Sequence, residues 1–365
     1  METKTITITR KIQLLIDSED AEFVKQAKAQ LYQWQNICFK AANMIVSHQF
    51  VQEQVKDFFY LTEDIKLKLT NQKKDENGIL QLSRESTTYH VLSRHFKGQM
   101  PMNILGNLNH GLLSYFNKEK AAYWKGEKSL RNYKKHIPMP FGADVISKFT
   151  LTPDGRNYCF KLFQIPFRTY LGRDKSDKKN MLERIRTGSL KLRVSHLQLV
   201  EGKVFLLASI HIEKEQHVLD PAVIAEATLS IEHPITVKIG KHEHAIGNKE
   251  EFLHRRLAIQ AAIHRIQKGA AFNRGGHGRK RKMKSLDDYR HLEKRYVEQK
   301  LHVYSRMLIN FCVKHQAATL LLVNQQEKEE IAKEDAFLLQ NWSYYSLKEK
   351  INYKAERAGI QVIVE

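Results

Sequence analysis

Hydrophobic and polar residues follow three successive patterns along the chain. The first begins with strict alternation of Thr and Ile at residues 3–16, which predicts one strand. From about residue 19 apolar side chains recur at helical spacing, and helices continue to about Lys128 on either side of a polar loop at 71–78. The first third therefore predicts a helical lobe attached to one strand.

The second pattern runs from Ile137 to Glu215 and consists of short alternating runs. The turn sequences PDGR at 153–156 and EGK at 201–203 separate these runs and predict hairpins. We expect a β-barrel here, and the N-terminal strand is expected to complete its sheet because it has no other partner nearby in sequence.

The third pattern mixes strands and helices. A hairpin is predicted near 225–247, helices at 249–268, 287–315 and 342–358, and buried apolar strands at 318–323 and at the C-terminus. This order favours an α/β layer with a mixed sheet. The predicted fold class is a multidomain α+β protein, with domain boundaries at 1–16, 17–135, 136–217 and 218–365.

Composition favours a polyanionic partner. The 365 residues include 60 Lys or Arg and 40 Asp or Glu, which gives a net charge of +20. A soluble basic protein without such a partner is the alternative. No run of 18 apolar residues and no signal peptide is present, and Cys38, Cys159 and Cys312 form no CxxC pair. We therefore expect a cytoplasmic protein without disulfides or a cysteine zinc site.

Positive charge is concentrated in NRGGHGRKRKMKSL at 273–286, which holds six Lys or Arg and no acid. Its glycines predict a flexible loop between two helices, and such a loop can lie along phosphates with little steric hindrance. A solvated linker is the alternative. His242 and His244 lie on the predicted hairpin without a third ligand, so they are interpreted as a hairpin edge rather than a metal site.

Several segments carry a resemblance to a known family. FLHRRLAIQAAIHRIQ, GHGRKRK and NWSYYSLKEKINYKAERAGIQVIVE resemble the RuvC-like nuclease domain of TnpB-type proteins, and among these the miniature type V CRISPR effectors of subtype F. IPMPFG and FQIPFRTYLGR are similar to the wedge domain of that subtype, and residues 17–130 to its recognition domain. The resemblance implies a helical recognition lobe, a β-barrel wedge domain and an RNase H-like (RuvC) α/β domain.

Such proteins use a guide RNA to open duplex DNA, while the protein reads a short adjacent motif and holds the heteroduplex by its backbone. Under this resemblance, cations of the basic segment contact guide or heteroduplex phosphates and cations of the β-domain hold the guide scaffold. The residues expected to do so are Arg274, Arg279, Lys280, Arg281, Lys282 and Lys284, and Arg168, Arg173, Lys178 and Lys179.

The adjacent DNA motif is expected to contact a helix-like stretch at 83–96, since hydroxyl and guanidinium groups suit groove contacts. Its candidates are Ser83, Arg84, Thr87, Tyr89 and Arg94, although a Tyr at helical spacing is also typical of a core.

The nuclease chemistry of the family requires three carboxylates around two divalent metals. When the chain is matched on Pro234, the first carboxylate position is Thr228. Glu226 and Glu232 are nearby but lie roughly 7 and 13 Å along the strand, so neither replaces a carboxylate there.

The second carboxylate position is Val323, or the neutral Asn324 under a one-residue shift. The third follows a cysteine-rich zinc ribbon, and the sequence ends at Glu365 before that ribbon. The resemblance therefore implies a nuclease-dead relative with a degenerate, C-terminally truncated RuvC domain, without a catalytic metal or zinc, and with guide RNA as its ligand.

The function expected is guide-RNA-directed DNA binding without cleavage, in bacterial cytoplasm and at the nucleoid when DNA is bound. It would regulate transcription by blocking it or by recruiting RNA polymerase through a sigma factor. One alternative is a nuclease completed by a missing segment or partner, and another is a guide-RNA-binding accessory protein of a transposon.

Further partners expected are target double-stranded DNA and a second copy of the chain on one guide RNA, and no membrane. The dimer interface is placed on an apolar segment, with ordinary core as the alternative. Its residues are Met102, Ile104, Leu105, Leu108 and Leu112.

Overall fold

The computed structural model describes residues 5–58, 83–172, 177–229, 233–272, 276–323 and 344–365. The chain divides into two compact units, one of residues 7–212 and the other of residues 213–365 with the first six residues. Each unit is described separately below, and the four domain boundaries drawn from the sequence stay predictions.

Where it is described, the helical part of the first unit contains three helices after the N-terminal strand, as the helical spacing predicted. Ser83 begins the second helix, because its hydroxyl oxygen accepts the backbone N–H of Ser86 at 3.2 Å. Leu31, Ile45 and Leu92 are fully buried and form part of the lobe's core. The elements are β1 (Thr5–Ile16), α1 (Ala21–Phe58), α2 (Arg84–Phe96) and α3 (Met102–Trp124).

The segment expected to form a dimer interface lies on α3, which packs against α1 and α2. Ile104, Leu105, Leu108 and Leu112 are at most 7% exposed, and Met102 is half-buried. The interface prediction is wrong for the four buried residues, because their apolar surface is already covered by the chain itself. The alternative of ordinary core holds for them.

The strands of the first unit form one seven-stranded sheet in the order β2-β6-β7-β1-β5-β4-β3. The N-terminal strand β1 belongs to this sheet, as the sequence predicted, and lies at its centre. Phe141, Phe160 and Phe167 are buried on one face. The elements that follow α3 are β2 (Met139–Phe141), β3 (Ile146–Leu151), β4 (Tyr158–Leu162), β5 (Ile165–Tyr170), α4 (Lys178–Arg186), β6 (Ser195–Val200) and β7 (Lys203–Glu213).

This sheet is open, so the predicted β-barrel is wrong. Its outer strands are β2 and β3, and the described residues contain no pairing between them. β2 has only three residues, and β3 pairs with β4 through a register shift between Ser147 and Thr150. A short strand and an irregular strand offer too few aligned N–H and C=O groups to close a barrel.

The second unit contains a five-stranded sheet in the order β10-β9-β8-β11-β12. β8, β9 and β10 are antiparallel neighbours, whereas β11 runs parallel to both β8 and β12. The mixed sheet predicted from the sequence is confirmed. Its elements are β8 (Asp220–Thr228), β9 (Ile235–Ile239), β10 (His242–Ile246), α5 (Lys249–Ala271), α6 (Gly276–Lys314), β11 (Ala317–Leu322), α7 (Tyr344–Ala358) and β12 (Gln361–Val364).

Three helices of this unit contribute to a core shared with the sheet. Phe252 of α5, Tyr304 of α6 and Ile351 of α7 are buried together with Val237 and Leu320 of the strands. On the other face of β8, Asp220, Ala222, Ile224 and Glu226 are exposed and Thr228 is half-buried. The second face of the sheet therefore presents both polar and apolar side chains along β8.

The basic segment is helical from Gly276 onward, so the prediction of a flexible loop is wrong for residues 276–286. Lys and Arg are good helix formers. The helix contains two glycines, Gly276 and Gly278, and both lie in its first turn, where glycine lowers helix stability little. The 39-residue helix α6 extends roughly 58 Å at the helical rise per residue. Residues 273–275 lie outside the described residues.

Across the described ranges, no helix is both long enough and apolar enough to cross a membrane.

Candidate nucleic-acid interface

The two positions matched to metal-binding carboxylates come together at one end of the second sheet. Leu322 of β11 is in register with Ala227 of β8, and the N–H of Val323 donates to the carbonyl of Ala227 at 3.0 Å. One residue further along each parallel strand, Val323 therefore lies beside Thr228. Neither an isopropyl group nor a neutral hydroxyl gives a divalent metal the anionic oxygen that it needs.

Glu226 is the carboxylate nearest to Thr228 along β8. It is exposed and lies in register with Leu321 of β11 and Lys238 of β9. Its side chain is on the same face as Thr228 but roughly 7 Å back along the strand. Glu232 and Asn324 lie outside the described residues, and among the described residues no group of three or more His, Cys, Asp or Glu could hold a metal ion.

The cations of the basic segment lie along the first turns of α6. Arg281 and Lys284 are exposed and, at a spacing of three residues, lie on one side of the helix. They can therefore contact neighbouring phosphates. Arg274 lies outside the described residues, as do the side chains of Arg279, Lys280 and Lys282.

The cations expected to hold a guide scaffold are spread around β5 and α4. Arg168 on β5 is 46% exposed at its side chain, and its Nε is 3.6 Å from Oδ1 of Asp17, so its charge is partly offset. Lys179 is exposed and Lys178 is half-buried. Arg173 lies outside the described residues.

The open face of the seven-stranded sheet holds further residues that the sequence analysis missed. Leu15 of β1 is in register with Arg168 of β5, and Gln13 with Tyr170, so these side chains share a face. Tyr170 is 54% exposed. The alternation along β1 indicates that one face of this strand is exposed. Which residues of β5 lie beside it follows only from the register between β1 and β5.

Lys11 extends the same face toward β6 and β7. Its Nζ donates to Oε1 of Gln198 at 3.1 Å and lies 4.2 Å from the ring centroid of Phe205. Cations beside exposed aromatic rings are typical of surfaces that track a phosphate backbone and stack bases. The face thus combines cations with accessible aromatic rings.

The residues proposed to read a DNA motif differ widely in exposure. Arg84 is 6% exposed and forms an ion pair with Glu53 of α1, and burial lowers its pKa. The prediction that Arg84 contacts a DNA groove is wrong, because the guanidinium lies inside the lobe and is held there by a carboxylate.

The other motif candidates lie along α2. The hydroxyl of Thr87 donates to the carbonyl of Ser83 at 3.0 Å. The side chain of Thr87 therefore forms a hydrogen bond within the first turn of α2. Tyr89 is half-buried and packs against Gly106 of α3. Of the five candidates, Arg94 is exposed, whereas the other four are half-buried or buried.

Two curated proteins named CRISPR-associated endodeoxyribonuclease Cas12f1 are similar to the chain. The protein of Sulfoacidibacillus thermotolerans is 25% identical over 278 residues, which are 71% of this chain and 65% of that protein. The protein of Syntrophomonas palmitatica is 26% identical over 180 residues, 48% of this chain and 35% of that protein. The chain thus matches less than two thirds of the length of these relatives. No protein-family profile matches it.

A solved structure shares the fold of nearly the whole chain. The cryo-EM structure of a Cas12f1–sgRNA–target DNA complex superposes with a TM-score of 0.67 and 14% identity, and the match covers 99% of this chain and 89% of that one. The resemblance drawn from the sequence is confirmed: the chain is similar in sequence to Cas12f1 proteins and has a mixed α+β, Cas12f-like fold.

Proposed function

We propose that this chain is a guide-RNA-directed DNA-binding protein that does not cut its target. The observation that carries the proposal is the pair Thr228 and Val323, which lie side by side where two metal-binding carboxylates would be required. Among the described residues, no group of three or more His, Cys, Asp or Glu could supply the charge that a two-metal mechanism requires.

The five-stranded sheet supports the assignment of residues 218–365 to an RNase H-like, RuvC-like domain. Three antiparallel strands are followed by helices and then by two strands parallel to the first, which is the arrangement expected of that domain. The described part of the domain has a buried hydrophobic core, while the positions matched to metal ligands, Thr228 and Val323, are neutral. Such a domain is suited to holding nucleic acid without breaking it.

Nucleic-acid binding is supported by charge and by two surfaces. The net charge of +20 favours a polyanion, Arg281 and Lys284 are exposed on α6, and Lys11 and Arg168 lie on the open face of the first sheet. The solved fold neighbour is, by its name, a complex of Cas12f1 with sgRNA and target DNA. We assign guide RNA and duplex DNA as ligands of this chain on these grounds.

A protein that occupies DNA without cutting it can regulate transcription. It blocks RNA polymerase when it lies on a promoter or within a gene, or it activates transcription when it brings a sigma factor and RNA polymerase to the site. Two copies on one guide RNA would cover more of a heteroduplex of roughly 20 base pairs than one copy does. Since the four buried residues of α3 are not available, such a pair would use a different surface.

The test begins with the RNA that copurifies with the full chain, which is sequenced to identify the guide. A gel shift with a duplex matched to that guide is then compared with and without the RNA. The proposal predicts binding of the matched duplex only with RNA. Binding of guide RNA without any shift of the matched duplex would contradict the proposal and would favour an accessory RNA-binding protein.

A further inference from the structure

Four aromatic rings form a continuous row at the outer edge of the second sheet. The ring of His242 lies 5.0 Å from that of His315, which lies 4.5 Å from that of Phe311, and Phe311 lies 5.6 Å from His244 with ring planes 14° apart. We refer to His242, His244, Phe311 and His315 as the ring ledge.

Strand register and helix geometry together create the ring ledge. His242 is in register with Ile239 and His244 with Val237, and both partners are buried on the helix-covered face of the sheet. The two histidines therefore point toward the end of α6, where Phe311 lies one helical turn before His315.

The ring ledge is accessible to a ligand. His242 and His244 are exposed, and Phe311 and His315 are half-buried. β10 is the outermost strand of the described sheet, so no described strand covers its free edge. Preceding turns of α6 expose Val303 by 45% and Met307 by 42%, so the ledge continues as an apolar strip along the helix.

The charges around the ring ledge are positive. Lys241 precedes His242 at the start of β10, and Lys314 precedes His315 at the end of α6, and both lysines are exposed. Glu243 is the acid on β10, and it lies on the other face in register with Lys238 of β9. The ledge therefore offers rings and cations together, without an acid of β10 on its face.

The ring ledge is separate from the positions matched to metal ligands. Thr228 is in register with Thr236, which lies on the face of β9 opposite to Val237. The ledge and Thr228 are thus on opposite faces of one sheet, with β9 between their strands.

We propose that the ring ledge binds unpaired DNA, stacking bases on Phe311 and the imidazoles while Lys241 and Lys314 contact phosphates. Aromatic platforms flanked by cations bind single strands without sequence preference, because every base has a π-face. The choice of DNA rests on the proposed function: guide and target strand pair with each other, so the displaced DNA strand is the one with unpaired bases.

The imidazoles add a dependence on pH. Histidine gains charge as the pH falls from about 7.5 to about 6, and a phosphate nearby favours the charged form. Binding of a single strand at the ledge therefore strengthens as the pH falls, through the three histidines.

The experiment uses the full chain and a fluorescein-labelled oligo(dT) of about twelve nucleotides, with oligo(U) of the same length as a second arm. Affinity is measured by anisotropy at pH values near 7.5 and near 6. The variants are the triple change His242→Gln, His244→Gln and His315→Gln, and separately Phe311→Leu. His264→Gln, an exposed histidine of α5, is the matched control, and circular dichroism verifies that each variant is folded.

We expect the triple variant to bind oligo(dT) about tenfold more weakly than the wild type near pH 6, and to lose most of the pH dependence. Phe311→Leu should weaken binding about fivefold at both pH values, through lost stacking. His264→Gln should match the wild type. Equal affinity and equal pH dependence in the wild type and the triple variant would overturn the proposal.

A second outcome is also decisive: a loss of binding confined to oligo(U) would overturn the assignment to DNA. These outcomes are independent of the test of the proposed function, because they use no guide and no target duplex.

Discussion

Arg84 on α2 and Glu53 on α1 form an ion pair inside the helical lobe, where their side chains are 7% and 12% exposed. Removal of one partner from a buried pair leaves an uncompensated charge. We expect Glu53→Gln to lower the free energy of unfolding by roughly 3 kcal/mol. Urea denaturation followed by circular dichroism measures this change.

The matched control for that prediction is Glu22→Gln on the same helix. Glu22 pairs with Lys25 at 3.8 Å, but both side chains are more than 60% exposed, so the variant should lie within about 0.5 kcal/mol of the wild type. Equal effects of the two variants would contradict a structural role for the buried pair.

Lys354 of α7 predicts a stability change at alkaline pH. Its Nζ donates to the carbonyl of His302 and to Oγ of Ser305, and burial, with Arg306 and Lys350 nearby, lowers its pKa to about 8 from 10.5. Between these values the unfolded chain binds a proton that the folded chain releases. The contribution of Lys354 to the free energy of unfolding therefore rises as the pH increases from about 8 to 10.5.

Comparison of the wild type with Lys354→Met isolates this contribution. We expect the difference in stability between the two proteins to change in favour of the wild type across that window, as measured by urea denaturation at several pH values. Lys268→Met, at an exposed position of α5, is the control and should show a constant difference. A constant difference for Lys354→Met would show that its amine is not desolvated.

The adjacency of Thr228 and Val323 predicts how introduced carboxylates behave. Neighbouring strands are about 4.8 Å apart, so Thr228→Asp combined with Val323→Glu brings two negative charges together. Like charges on neighbouring strands repel, and a divalent cation between them relieves the repulsion. We expect the double variant to lose more thermal stability than the sum of the single variants, and Mg²⁺ to restore several degrees.

The wild type and both single variants are the controls for that experiment, and none should respond to Mg²⁺. Additive losses in the double variant, without any effect of Mg²⁺, would show that the two side chains are not neighbours.

Arg281 and Lys284 are predicted to contact phosphates of guide RNA or heteroduplex. Each lost phosphate contact lowers the slope of log affinity against log salt by about 0.7–0.9. Changing both residues to Gln should therefore lower the slope by about 1.5 in filter binding of the copurified RNA. The control is Lys25→Gln, which changes an exposed lysine of α1 in the other unit. An unchanged slope in the double variant would show that this part of α6 does not contact phosphates and only links α5 to the rest of the helix.

Local pattern predicted much of the fold, because alternation and helical spacing are set by burial of one face. β1 and the mixed sheet follow from that rule. The helix at 276–286 was missed because its glycines were taken as breakers, although Lys and Arg around them favour a helix. The prediction of a barrel was wrong because closure depends on strand length and register, which alternation does not specify.

The candidate site was predicted less completely than the fold. Sequence matching found Thr228 and Val323 separately, but only the pairing of β8 with β11 brings them together. The prediction that Arg84 contacts DNA was wrong because its side chain is buried against Glu53. The sequence around Arg84 gives no indication of this partner, which lies 31 positions earlier in the chain. The ring ledge requires both the β9–β10 register and the end of α6, so it has no signature in sequence.

We propose above that the chain binds its target without cutting it. The most direct measurement incubates guide-loaded protein with a matched, end-labelled DNA duplex and Mg²⁺, and follows binding and strand integrity in the same samples, with a mock-purified preparation as control. We expect the duplex to be bound and both of its strands to stay intact. Nicking or cleavage of the matched duplex, with the mock preparation inactive, would contradict it.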